Sequence, residues 1–167
     1  AVGTDAFGLA GFDTDGLLRW VFELDRPTVG LPEEILAADP IAFSAGGPGT
    51  FAVTAALAGP GTVSLVSSAL WSVREGGEPV LIFRDGQYVP DTSEGWRFGP
   101  AGSHGSPWHP SVDDSGNVVF MNRLTRDTSP VELQSTIWRW KIEGKLERLL
   151  SDTGDFPGLP EGVRVRT

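Results

Sequence analysis

The sequence predicts an all-β chain of antiparallel four-stranded units, about two and a half of them in succession. Three observations predict this. The chain repeats itself at fixed offsets, its apolar runs are short and end in glycine turns, and no stretch sustains a helical period. Trp71 and Trp138, Gly77 and Gly144, Gly49 and Gly116, Pro40 and Pro107, and Val89 and Phe156 all lie 67 residues apart. Gly16 and Gly77 lie 61 apart. Gly30-Leu31-Pro32-Glu33 returns as Gly158-Leu159-Pro160-Glu161 after 128 residues, the two offsets combined. So many landmarks on two offsets mark a repeat. The chain is read as one domain over 1–167, divided into a partial unit 1–39, a unit 40–106 and a unit 107–167.

The partial unit holds two strands. Gly8 to Phe12 is the first version of a strand that returns as Ala69 to Val73 and as Thr136 to Ile142. After the turn at Gly16, Leu17 to Leu24 matches Pro79 to Arg84 and Lys145 to Leu150. Each complete unit adds two strands ahead of these. The first is short, Ile41 to Ser44 and Trp108 to Val112. The second alternates, placing Phe51, Val53, Ala55 and Leu57 on one face, and Val118, Phe120, Asn122 and Leu124 opposite Val119 and Met121. The turns carry hairpin chemistry, with Gly116 of Asp113-Asp114-Ser115-Gly116 where a positive φ is needed. The longer connections, 86–106 and 125–134, are rich in Gly, Pro and Ser, and the loop Trp96–Gly105 reads as the part that does not repeat.

Four antiparallel strands per unit, repeated in sequence, describe a blade of a β-propeller. A Greek-key sandwich needs short strands too, but it does not need them to repeat. The run from Ser106 through Pro107-Trp108-His109-Pro110 to Phe120, then Thr136-Ile137-Trp138-Arg139-Trp140 and Leu146 to Leu150, resembles the blade repeat of TolB-type six-bladed propellers. The segment Leu149-Leu150-Ser151-Asp152-Thr153-Gly154-Asp155-Phe156-Pro157-Gly158-Leu159-Pro160 is similar to the linkers of a group of poorly characterised bacterial secreted repeat proteins. The resemblance implies a propeller-type fold and an extracytoplasmic setting, and it carries over no catalytic residue. A propeller ring needs roughly 4–8 blades. Two and a half units therefore make an incomplete ring, which draws on further blades of the same protein or on other copies of the chain. Ala1 stands close to the first strand, so the chain reads as processed or as a piece of a longer one.

Composition narrows the function classes. A net charge of -9, with Lys only at 141 and 145, argues against nucleic-acid partners, which require clustered basic residues. The absence of cysteine removes disulfides, thiolate metal sites and cysteine nucleophiles. No apolar run is long enough for a membrane-spanning helix.

Candidate chemistry is sparse. Asp13-Thr14-Asp15-Gly16 begins like a calcium loop but lacks the remaining spaced acids, and its repeat position makes it a hairpin turn. Asp113, Asp114, Asp152 and Asp155 read the same way. His104 and His109 are the only histidines, and their spacing is not that of a zinc site. No metal and no cofactor is expected, and no catalytic residue is assigned. Trp71 and Trp138 occupy equivalent positions and read as core. Trp96 and Trp108 lie in or beside the long connection; there they either plug the gap between blades, the reading the pattern favours, or with Arg97, His104 and His109 form the candidate binding residues. The leading expectation is a non-enzymatic binding or scaffold module with no specific ligand assigned, a carbohydrate or peptide being one candidate partner and the substrate class of the enzyme alternative. The alternative is a propeller-type hydrolase or lyase using the same five residues.

Overall fold

The computed structural model describes residues 8–12, 18–47, 49–62, 67–90, 95–99, 109–126 and 132–151. These residues form eleven strands and no helix, so none of them belongs to a helix long and apolar enough to cross a membrane. Strands β1 (Gly8–Phe12) and β2 (Leu18–Glu23) make a two-stranded antiparallel sheet. Strands β3 (Leu36–Gly46), β4 (Thr50–Ala58), β5 (Ser68–Arg74) and β6 (Val80–Arg84) follow one another across a four-stranded antiparallel sheet. The third sheet runs β11 (Leu146–Ser151), β10 (Glu132–Trp140), β9 (Val118–Arg126) and β7 (Arg97–Phe98), with β8 (Ser111–Val112) also paired to β9.

The pairing registers repeat as the sequence does. Trp71 pairs with Leu81 and Trp138 with Arg148, each just after a bulge. Ser44 pairs with Ala52, and Ser111 with Val119. The first strands depart from expectation. In the second sheet, β3 starts at Leu36, ahead of the boundary expected at 40, and is kinked by bulges around Pro40, where a proline has no amide to donate. In the third sheet the same strand is split in two. Leu36 pairs with Ala58 and Arg97 with Thr125, so β7 stands for the start of β3 and β8 for its end. From Ala37 to Ser44 the chain advances 7 residues, whereas from Phe98 to Ser111 it advances 13. Six extra residues at this point account for the difference between the offsets of 61 and 67.

The connection before β7 therefore repeats as well, which corrects the reading of the whole loop from Trp96 as non-repeating. Residues 85–98 match 24–37 at an offset of 61. Isolated bridges join Pro27 to Leu36 and Tyr88 to Arg97. The Asp25 amide donates to Ala37 O at 2.7 Å and the Gly86 amide to Phe98 O at 2.8 Å. Asp25 and Gly86 both adopt positive φ, 57° and 77°. Ile35 and Trp96, 61 apart, are both buried.

Two cores separate the three sheets. Phe22, Leu24, Ile35 and Ala37 pack against Phe51, Val53, Leu57, Trp71 and Val73. Ala52, Leu70, Ile82 and Phe83, on the opposite face of the second sheet, pack against Val89, Trp96, Phe98, Phe120, Leu124 and Trp138. The second sheet is thus buried on both faces, which is why β4 is buried almost end to end. Its Ala52-Thr54-Ala56 face is small, and large rings from the far side fill the space. Phe83 stacks with Phe98 at 4.7 Å and with Phe120 at 5.0 Å, and Phe98 meets the edge of Trp138 at 5.6 Å.

At one side of the stack the first strands of the two larger sheets meet. The Val112 amide donates to Ser44 Oγ at 3.3 Å. A Cβ at Gly46 would lie 2.5 Å from Val112 O, and one at Gly47 2.3 Å from Asp114 O, so the approach requires glycine at both.

Trp71 and Trp138 are both buried, and each satisfies its indole differently. Trp71 Nε1 donates to Val29 O at 3.2 Å, in the preceding connection. Trp138 Nε1 donates to Thr136 Oγ1 at 2.7 Å, and that hydroxyl donates to Asn122 O at 2.8 Å. Burial of this size predicts that Trp138→Ala destabilises the chain by about 3–5 kcal/mol. Chemical denaturation monitored by circular dichroism measures it. A change below ~0.5 kcal/mol, the scale of a surface substitution, would remove Trp138 from the core.

Candidate functional site

The split edge of β9 positions the candidate residues. β7 ends at Phe98, and Gly99 is locked in place. Its amide donates to Arg123 O at 2.8 Å and to Asn122 Oδ1 at 3.3 Å. Asn122 is fully buried, and its counterparts at an offset of 67 are Ala55 and, for Thr136, Ala69. The third sheet thus replaces two alanines of the second with a hydrogen-bonded polar pair at the point where the chain leaves the sheet. A Cβ at Gly99 would lie 2.5 Å from Arg123 O, so no larger residue fits. The chain returns to the same edge at β8, six residues of β9 away from the Arg97 pairing. That separation is roughly 20 Å of strand.

Arg97 and Tyr88 face each other across their isolated bridge. The guanidinium carbon of Arg97 lies 3.9 Å from the Tyr88 ring centroid. Arg97 donates to Gly86 O at 3.0 Å and also to the Tyr88 hydroxyl. Tyr88 is 59% exposed, so this stacked pair stands at the surface. Tyr88, the only tyrosine, was not among the residues singled out from sequence. The signal lay in the offset of 61, which sets Tyr88 and Arg97 at the places of Pro27 and Leu36.

Trp96 is only 8% exposed and belongs to the core between the second and third sheets. The Arg126 guanidinium lies 5.0 Å from its ring centroid. Its neighbours are those of a packing residue, as the matching burial of Ile35 explains. His109 is exposed, just ahead of β8. His104 and Trp108 lie outside the described residues, as do Asp13, Asp15, Asp152 and Asp155. Of the five candidates, the structure describes Trp96, Arg97 and His109, with Trp96 turned into the core beside a half-buried Arg97.

The acidic turn before β9 has structural employment. Asp113 Oδ1 accepts from the Ser115 and Asn117 amides, both at 2.9 Å, and Oδ2 accepts from Asn117 Nδ2 at 2.9 Å. Asn117 Oδ1 in turn accepts from the Ile142 amide at 3.1 Å, tying this turn to the one between β10 and β11. These bonds, led by that of the Asn117 side chain, hold the Asp113 carboxyl below its ordinary range. Glu147 is held low chiefly by Arg139, which donates to it at 2.7 Å, with Lys141 Nζ at 3.5 Å. Among the described residues, no three His, Asp or Glu side chains gather as a metal site would require.

Chemically, the edge offers a planar cation stacked on a phenol ring, beside a six-residue insertion. Guanidinium and aromatic groups of this kind grip sugars, peptides and planar acceptors. Fold and surface together define an all-β repeat protein with stacked antiparallel sheets. The chain belongs to the family of unknown function DUF7453, which it matches over residues 16–165, from ahead of β2 to beyond β11. No curated protein and no solved structure matches it.

Both shifted carboxylates predict the same pH dependence. Their folded values are depressed, so the stability they contribute is present above the ordinary carboxylate range and lost as the pH falls through the folded values. Thermal melts from pH 7 to 2.5 check this. Asp113→Asn and Glu147→Gln are expected to melt lower than the parent at pH 7 and to converge with it at the acid end.

Proposed function

We propose that the chain is a non-enzymatic repeat module of the β-propeller type that presents a binding surface for a carbohydrate or peptide from the split edge of its third sheet. The observation that carries the binding reading is the stack of a half-buried Arg97 on an exposed Tyr88. Aromatic and arginine side chains dominate binding energy where ligands meet proteins, because each combines a large flat area with a polar tip. The stack lies next to the place where the repeat lengthens, and the earlier connection, with Pro27 and Leu36 at the same positions, has no counterpart to it.

The propeller-type reading is supported by three features of the stack. Each larger sheet runs its strands in chain order. Successive sheets pack face to face through the repeated connections. The first strands, β3 and β8, converge at one side through Gly46 and Gly47. A ring on this plan needs roughly 4–8 blades, so further units of the protein or other copies of the chain complete it. An extracytoplasmic setting rests on the likeness to secreted repeat proteins alone.

The ligand surface is tested by 1H–15N spectra of the full chain titrated with neutral oligosaccharides and with short unstructured peptides. Shifts are expected to cluster at 86–89, 97 and 109, and both Arg97→Ala and Tyr88→Ala are expected to weaken binding at least tenfold, about 1.4 kcal/mol. Binding unchanged in both variants would overturn the assignment. Turnover of any probe would overturn the non-enzymatic reading.

A further inference from the structure

The outward face of the third sheet repeats a face that is covered elsewhere. In the second sheet, Ala52, Leu70 and Phe83 are buried beneath the connection 85–98, which delivers Val89, Trp96 and Phe98 onto them, together with Phe120, Leu124 and Trp138 of the third sheet. At an offset of 67 the same places in the third sheet are Val119, Ile137 and Leu150, all only half-buried. Ile137 pairs with Met121 on one side and with Leu150 on the other, so the three make a continuous apolar row across β9, β10 and β11. Met121, at 40%, and Leu133, at 52%, are among the most exposed large apolar side chains described.

The occupant for that row is encoded further along the chain. Residues 152–165, which lie beyond the described residues, match the two earlier connections position by position. Glu161-Gly162-Val163-Arg164-Val165 follows Glu94-Gly95-Trp96-Arg97-Phe98, and Gly158-Leu159-Pro160-Glu161 follows Gly30-Leu31-Pro32-Glu33. Pro157 stands for Pro90 and Asp152 for Asp85. Asp85 anchors the second connection, accepting from the Ser68 amide at 2.6 Å and from its hydroxyl at 3.1 Å, and Ser135 occupies the place of Ser68. The apolar positions that cover the second sheet, Val89, Trp96 and Phe98, become Phe156, Val163 and Val165.

We propose that residues 152–165 form a third connection of the same design and dock on the outward face of the third sheet, with Val163 and Val165 over Ile137 and Leu150. The contact of Phe83 with Phe98, ring centroids 4.7 Å apart, is the template for Leu150 with Val165. The docked segment shields an apolar row that a solvated sheet face would otherwise expose.

Because the chain has no cysteine, an introduced thiol reports on its own surroundings. Ile137→Cys in the full chain is expected to react with a maleimide at least tenfold more slowly than Glu143→Cys on the exposed turn. Adding Val163→Asp and Val165→Asp is expected to abolish that protection. Equal rates for the two thiols, or protection that survives the two aspartates, would overturn the proposal. Protection that rises with protein concentration would overturn it in favour of a second copy on this face. A second variant pair stands apart from any loss of folding: Leu150→Cys with Val165→Cys is expected to close a disulfide within one chain under mild oxidation. Failure to close it, or closure only between chains, counts against docking. None of these outcomes depends on whether a ligand binds near Arg97.

Discussion

The structure depends on a short backbone clamp used twice. Gly86 donates to Phe98 O, as Asp25 does to Ala37 O, and each bond closes a connection of a dozen residues back onto itself. Closing such a loop costs conformational entropy, and the buried side chains it delivers offset that cost. Trp96 and Phe98 reach the core between the second and third sheets because the clamp and the Tyr88–Arg97 bridge fix their direction. The connections are therefore part of the core as well as links between sheets.

The second sheet carries the heaviest demand. Its central strand β4 is buried on both faces and reads Thr50-Phe51-Ala52-Val53-Thr54-Ala55-Ala56-Leu57-Ala58. One face holds the large residues and the other the small ones, so rings from the third sheet can approach the small face closely. The third sheet follows the same plan with a polar variation. Asn122 and Thr136 take the places of Ala55 and Ala69, and both are buried with their hydrogen bonds made to Gly99, Trp138 and the backbone. Buried polar groups of this kind are tolerated only when paired. Here the pairing holds the exit of the chain from β7.

Much of this was legible in sequence, and the part that was not has a specific cause. Trp71 and Trp138, the alternation of Phe51 to Leu57, and the hairpin turn at Asp113 to Gly116 all follow from residue period and from an offset of 67. The connection 85–98 escaped because its offset to the earlier copy is 61, and the six-residue insertion falls just after it. Searched backwards at 67, Arg97 falls opposite Gly30, and only Arg164, in the later connection, repeats it. The residues themselves gave no help, since Ile35 and Trp96, or Leu36 and Arg97, share only their place in the fold. The surface pair formed by Arg97 and Tyr88 was half visible for the same reason. Arg97 stood out as a charge in a long loop, whereas Tyr88 acquires meaning only from the bridge that sets it opposite. The split of the first strand was invisible, because two pairs of residues, Arg97–Phe98 and Ser111–Val112, are too short to show a period of their own.

That split has a consequence for how such a chain can vary. β7 and β8 are each pinned to β9 by their own register, so the path between them can change length without moving either anchor. In the second sheet the same span is drawn tight through the bulges at Pro40. The edge of β9 is thus a port in the architecture: a place where sequence can be added, lost or exchanged while both sheets and both cores keep their alignment. Natural variation and grafted peptides alike would enter the fold there at the least cost.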